Sequence, residues 1–372
     1  MPTYTVECHD DLQNVKDLWH DIQTENGYDS PLHDYDVVSA WYCHLGGGDR
    51  PRILSLWENS NRCIGIYPML LEKKYGARVL KTMYSGALSI NLPLVRKAYR
   101  DDFFTLFFQA ISSSSLRWEI IKLSWFPTYL KPLESLNDSF FRKMGFRSFP
   151  IDDIGYGVDL QKEFNSYFNG LSPKTRKNVA YLTRKLNRSH DVRFEFLHNQ
   201  DALDSWESFL DIECSGWKKK CGTSLAQNPP YRTYCHNLAV SLCREGSLLM
   251  AFLTADEVRI AGMFGYIQRG VYYALRSGYL EKYFDYSPSN LLLVEMVRYF
   301  MIQMPDVNRI DLFPFDYGYK HKWSDLHEPY RTFMIANATP FSKLLYFFYA
   351  FKMKHLNKSK KGLPRNQAFN GQ

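Results

Sequence analysis

Residues 313–323 read FPFDYGYKHKW and bring a carboxylate, two phenols, two ammonium groups and an imidazole into one short loop, from Asp316, Tyr317, Tyr319, Lys320, Lys322 and His321. Just upstream, Arg309, Ile310, Asp311 and Leu312 alternate as a half-buried strand does, and Pro314 and Gly318 then interrupt the backbone. The loop is either a packed aromatic turn or a place where chemistry occurs. A second candidate lies earlier in the chain. An expected strand at 271–280 carries Arg276, Ser277, Gly278 and Tyr279, and Tyr286, Ser287, Pro288, Ser289 and Asn290 then lead into an expected helix. A helix N-terminus after a small-residue turn presents amide N–H groups and a partial positive charge, which suits phosphate. The plainer reading is an ordinary Ser-Pro helix cap. Arg276, within an apolar strand, is an unusual residue to half-bury unless an anion meets it.

Glu213, Trp217 and Lys218 end a further expected helix and form a third group, facing either an acceptor cleft or the core. Lys174, Arg176, Lys177, Arg184, Lys185 and Arg188 lie on a helix with no acid between them. That helix is either a solvated face or a receiver of phosphate from a nucleotide-sugar or RNA. No Ser-His-Asp arrangement is visible, and Ser215-Gly216 is not a nucleophile elbow. The seven cysteines are scattered without a CxxC pair or neighbouring histidines at ligand spacing, so no metal site is expected and a reducing cytoplasm fits best.

The elements that must position these groups follow one order twice. In the first half a strand at 4–8 precedes helices at 12–24 and 33–45. Strands at 52–57, 62–73 and 78–84 follow, then a helix at 96–112, a strand at 119–126 and a helix at 133–144. In the second half Ser172 caps a helix at 174–186 with Pro173 at its first position. A strand at 192–197, helices at 204–219 and 231–244, strands at 248–254, 258–267 and 271–280, a helix at 290–301 and a strand at 308–313 complete it. Ala255-Asp256-Glu257 and Gln268-Arg269-Gly270 close tight hairpins, which excludes crossover connections there. The expectation is an α+β protein made of one antiparallel meander with helices, built twice and joined around 150–170.

With 372 residues, 45% of them hydrophobic, the chain has material for two cores of about 150–200 residues. No secretory signal and no apolar span of membrane length are expected. The net charge of +7 is uneven: from Pro329 onward there are eight basic residues and no acid, which leaves the rest of the chain at about −1. Within that tail, residues 341–351 read FSKLLYFFYAF and precede Lys352, Lys354, Lys358, Lys360 and Lys361. Such a segment either packs on the second domain or lies at an anionic membrane surface.

This order of elements resembles the GNAT acyltransferase superfamily. Three stretches liken it to the double-domain branch that includes cellulose-biosynthesis-type acetyltransferases and is related to the Fem aminoacyl transferases. They are Lys174-Thr175-Arg176-Lys177-Asn178, Tyr279 with Ser287-Pro288-Ser289-Asn290-Leu291-Leu292, and residues 311–323. The phosphate loop Q/R-x-x-G-x-G/A of ordinary GNAT enzymes is absent, which leaves the acyl carrier open. The resemblance implies two tandem GNAT-like domains, 1–155 without a donor site and 156–340 with one, followed by an aromatic and basic tail at 341–372.

It further implies acetyl-CoA or another acyl-CoA held between strands 271–280 and 308–313. Arg276, Ser277, Gly278, Ser287, Ser289, Asn290 and Leu291 would bind this donor, and Glu213, Trp217 and Lys218 the acceptor. Asp316 would act as base or position the amine, Tyr317 or Tyr319 would protonate the leaving group, and Lys320 would stabilise the oxyanion. The implied function is N-acylation of an amine on a sugar, polysaccharide or cell-envelope precursor. The enzyme would be cytoplasmic, with peripheral membrane contact through its tail. The alternatives are a Fem-like aminoacyl transferase using aminoacyl-tRNA and a non-catalytic scaffold in polysaccharide biosynthesis.

Overall fold

The computed structural model describes residues 2–27, 30–83, 91–128, 136–215, 217–314 and 320–359, with the side chains of 31, 217 and 352–359 outside that description. The first half supplies strands β1 (Tyr4–His9), β2 (Arg50–Glu58), β3 (Arg62–Lys74), β4 (Ala77–Thr82), β5 (Leu94–Val95), β6 (Ile120–Pro127) and β7 (Arg147–Ile154). The second supplies β8 (Gly157–Asp159), β9 (Val192–His198), β10 (Leu248–Ala255), β11 (Val258–Gln268), β12 (Val271–Tyr279), β13 (Arg309–Asp311) and β14 (Pro329–Ala336). Among the described residues these form two mixed sheets flanked by helices. One runs β1-β2-β3-β4-β6-β14-β7, with β5 beside β3, and the other runs β8-β13-β12-β11-β10-β9.

The expected repeat is present in both. Meanders β2-β3-β4 and β10-β11-β12 are antiparallel, and each then meets a parallel strand, β6 or β13, through three residue pairs. The hairpins are tight because consecutive residues accept positive φ. Asp256 and Glu257 sit at φ 51° and 66°, and Arg269 and Gly270 at 50° and 76°. That pair of left-handed residues matches the twist of the flanking strands. The helix Pro173–Ser189 begins as its sequence implies, with the Ser172 hydroxyl accepting from the Thr175 N–H and proline in the first turn.

Three strands escape a local reading: β7, β8 and β14. Their pairings are long-range, so no turn signal announces them. β14 lies between β6 and β7 in the first sheet, although it follows the whole second sheet in sequence. Arg331 on β14 and Asp152 on β7 fix that register with two bonds of 2.7 Å. The helix expected at 204–219 is broken into Asn199–Asp204, Trp206–Glu213 and Trp217–Lys220. Ser205 makes the first break, at φ −89° and ψ 6°, where the helical ladder cannot continue. Of the helix expected at 133–144, residues 133–135 lie outside the described residues, and the rest is helical over Asp138–Lys143, capped by the Asn137 side chain on the Phe140 N–H.

One buried cluster joins the halves. Trp19, Val38 and Trp41 from the first half pack with Phe209, Tyr234 and Leu238 from the second. The C-terminal helix Pro340–Ser359 packs on the first sheet, at its β14 and β7 strands. Leu345 enters the cluster of Met334, Ala336 and Val79, and Tyr346 contacts Phe149 at 5.3 Å between ring centroids. Because one core serves both halves, Trp41→Ala and Phe209→Ala should each cost about 3–5 kcal/mol. Urea unfolding followed by far- and near-ultraviolet circular dichroism should still show one shared transition. Two separated transitions would mean that the halves fold independently.

Candidate active site

The second sheet opens where β13 leaves β12. Val271, Tyr272 and Tyr273 pair with Arg309, Ile310 and Asp311, and the ladder then stops, although β12 runs on to Tyr279. Local bonding explains the stop. The Leu312 N–H turns to the Tyr156 carbonyl at 2.8 Å. Phe313 takes φ 61°, with its N–H held by the Asp311 carboxylate at 2.7 Å. Buried Lys320 donates from Nζ to the carbonyls of Leu312 and Phe313. Backbone groups that an ordinary strand would offer to β12 are thus satisfied elsewhere.

Asp311 is buried and also accepts from the Tyr330 hydroxyl at 2.6 Å. Tyr330 belongs to β14 in the first sheet, so this bond spans the two sheets. Tyr273, Phe313 and Tyr330 form a row of rings beside it. Sequence reasoning placed Asp311 in the motif but gave it no role, and it missed Tyr330 because the strand carrying it was not foreseen. The available signal was the lone acid in the otherwise apolar Ile310-Asp311-Leu312.

Two groups that were expected to bind different substrates come together on β12. A bulge between β11 and β12 shifts the register at Phe264 and Gly265, so that Leu275 is the extra residue before Arg276. Arg276 then meets fully buried Glu213 at 3.1 Å and lies over the Tyr231 ring at 4.9 Å. Lys218 also reaches Glu213, at 3.1 Å, and donates to the Ser277 carbonyl at 2.5 Å. The second Glu213 oxygen accepts the Leu225 N–H at 2.9 Å. Arg276, half-buried in an apolar strand, therefore has an anion within the fold itself. Gly278 lets this helix approach: a Cβ there would lie 2.7 Å from the Glu213 Cα.

At the helix Pro288–Gln303, Ser287 caps the N-terminus in the left-handed region at φ 47°. The Ser289 hydroxyl donates to the Gly278 carbonyl at 3.2 Å and ties the helix to β12. Pro288 has no N–H. Those of Asn290 and Leu291 go to the Ser287 carbonyl, and that of Ser287 goes to Phe284. Of residues 287–291, Ser289 is left to offer an amide among the described contacts. Asp316, Tyr317 and Tyr319 lie outside the described residues, as does the side chain of Trp217.

Residues 173–321 match the family model described as an acetyltransferase (GNAT) domain. This match identifies a GNAT-type acetyltransferase domain within the second half. The match begins at the first residue of the basic helix and ends beside Lys320. No curated protein matches the chain. Among the solved structures that share the fold over most of the chain are two with the following likeness. The crystal structure of FemX is 11% identical with a TM-score of 0.51, covering 80% of this chain and 90% of that one. The C-terminal domain (DUF2156) of a putative lysylphosphatidylglycerol synthetase from Agrobacterium fabrum is 14% identical with a TM-score of 0.50, covering 92% and 96%. At these identities the likeness concerns the fold.

Burial, and then the charge of Arg276, push the Lys218 ammonium down to about 8 from an ordinary 10.5. Between those values the unfolded chain holds a proton that the folded chain has released, so this group makes stability rise with pH. Urea midpoints of the native protein should therefore gain on those of Lys218→Met between about pH 8 and pH 10. A constant difference across that window would place Lys218 in a wetter setting than its contacts imply.

Proposed function

We propose that the chain transfers an aminoacyl group from aminoacyl-tRNA to an amine acceptor at the point where β12 and β13 part. The observation that carries this reading is the helix Pro173–Ser189. Its six basic residues have no acid among them, and Lys174, Lys177, Arg184 and Arg188 are exposed. Lys174, Arg176 and Lys177 occupy the helix's N-terminal end, where positive charge opposes the helix dipole and costs stability. A polyanionic ligand offsets that cost. The nearly committed amides of residues 287–291 favour the same reading, since they leave little for the pyrophosphate of a nucleotide-linked donor. FemX and the lysylphosphatidylglycerol synthetase domain are fold relatives in keeping with it.

In this reaction the ester bond between the aminoacyl carbon and the tRNA ribose oxygen breaks, and a carbon–nitrogen bond forms. The amine gives up a proton and the ribose oxygen takes one. Asp316 serves as base or holds the amine, Tyr317 or Tyr319 supplies the proton, and Lys320 stabilises the oxyanion. Glu213, Lys218 and Arg276 support β12 behind the reacting groups.

The second reading is acyl-CoA-dependent N-acylation of an amine on a sugar, polysaccharide or cell-envelope precursor. The acetyltransferase description of the matched domain favours it. Thermal shift separates the two, because a ligand that binds the folded state raises its melting temperature. Uncharged and charged tRNA should stabilise the protein, and Lys174→Gln with Lys177→Gln should lower the salt slope of tRNA binding by about 1–2. Stabilisation by CoA without any by tRNA would replace the first reading with the second. No response to either would leave the non-catalytic scaffold.

A further inference from the structure

We propose that the outward face of the C-terminal helix Pro340–Ser359 docks on an anionic lipid membrane, independently of which donor the enzyme uses. The helix is apolar on two opposed sides. Ser342 and Leu345 are buried against the first sheet, with Tyr346 and Tyr349 half-buried beside them. On the other side Phe341, Leu344, Phe347, Phe348 and Phe351 are 43%, 66%, 67%, 57% and 65% exposed. At 3.6 residues per turn these five fall within an arc of about 120°. A helix that needed only to cover the sheet would carry polar residues on that arc.

A second exposed group lies alongside. Tyr75, 70% exposed, is at the tip of the β3–β4 hairpin beside exposed Lys73 and Lys74. Ala77, which opens β4 just past this tip, shares a buried cluster with Leu345, with Tyr349 packed against it, and this sets the hairpin beside the helix. The hairpin brings Lys73, and Lys74 paired with Glu72 at 3.9 Å, close to the helix.

Charge selects the occupant. From Pro329 onward the sequence has eight basic residues and no acid. A second copy meeting this face through a twofold axis would set that excess against itself. Anionic headgroups above hydrocarbon answer both features at once: aromatic rings enter the interface while the lysines meet phosphate. No helix among the described residues is long and apolar enough to cross a membrane, so the helix lies along the surface while still packed on its sheet.

Vesicle co-sedimentation of the full chain tests this. Binding to phosphatidylcholine vesicles containing phosphatidylglycerol should exceed binding to phosphatidylcholine alone by about tenfold or more and fall with added salt. Phe347→Ser with Phe348→Ser should weaken it by about tenfold or more without lowering the melting temperature, since both rings are exposed in the fold. Unchanged sedimentation of that variant, or none by the native chain, would overturn the proposal. So would light scattering that shows a native dimer, made monomeric by the same variant, in a protein that ignores vesicles.

Discussion

The site depends on a failure to pair. β13 follows β12 for three residues and then turns away, because Phe313 has both of its backbone groups taken by side chains. Asp311 receives its N–H, Lys320 caps its carbonyl, and Leu312 bonds to Tyr156 on the far side. Each is a buried or half-buried polar group that finds a partner within a few residues of the fork, as burial requires. Among the described residues β12 therefore has no strand partner beyond Tyr273 on the β13 side, although Lys218 and Ser289 reach the carbonyls of Ser277 and Gly278. An acyl carrier can lie along that edge as a further strand would.

The remainder of the structure keeps the fork in place. Tyr330 reaches Asp311 from a strand that belongs to the other sheet, so the first sheet helps to hold the end of β13 in the second. Behind β12, Glu213 gathers Lys218, Arg276 and the Leu225 amide. A buried carboxylate with two cations is costly to desolvate, and it persists where its hydrogen bonds are complete. The bulge at Leu275 aims Arg276 at this carboxylate, and Gly278 allows the helix that carries it to come close.

Much of this was legible in the sequence where the signals are local. Hairpin turns, the Ser172–Pro173 helix start and the repeated order of elements follow from periodicity, turn chemistry and capping. β7 and β14 were not legible, because their mutual pairing and that with β6 join distant segments. The role of Arg276 was legible only in part: its sequence environment demanded an anion, but not that Glu213 would supply it. The motif singled out Lys320 for a role in the reaction, whereas its bonds to Leu312 and Phe313 depend on the turn at Phe313. Asp311 was visible as a lone acid, and its partner Tyr330 was hidden with its strand.

The proposed donor site lies along β12 beyond its last pairing with β13. Amide hydrogen exchange with and without saturating aminoacyl-tRNA tests it most directly. Exchange across residues 274–279 should slow on binding, while the β10–β11 ladder, paired within the fold apart from one bulge, stays unchanged. Binding that leaves 274–279 unprotected and slows exchange elsewhere would contradict the account.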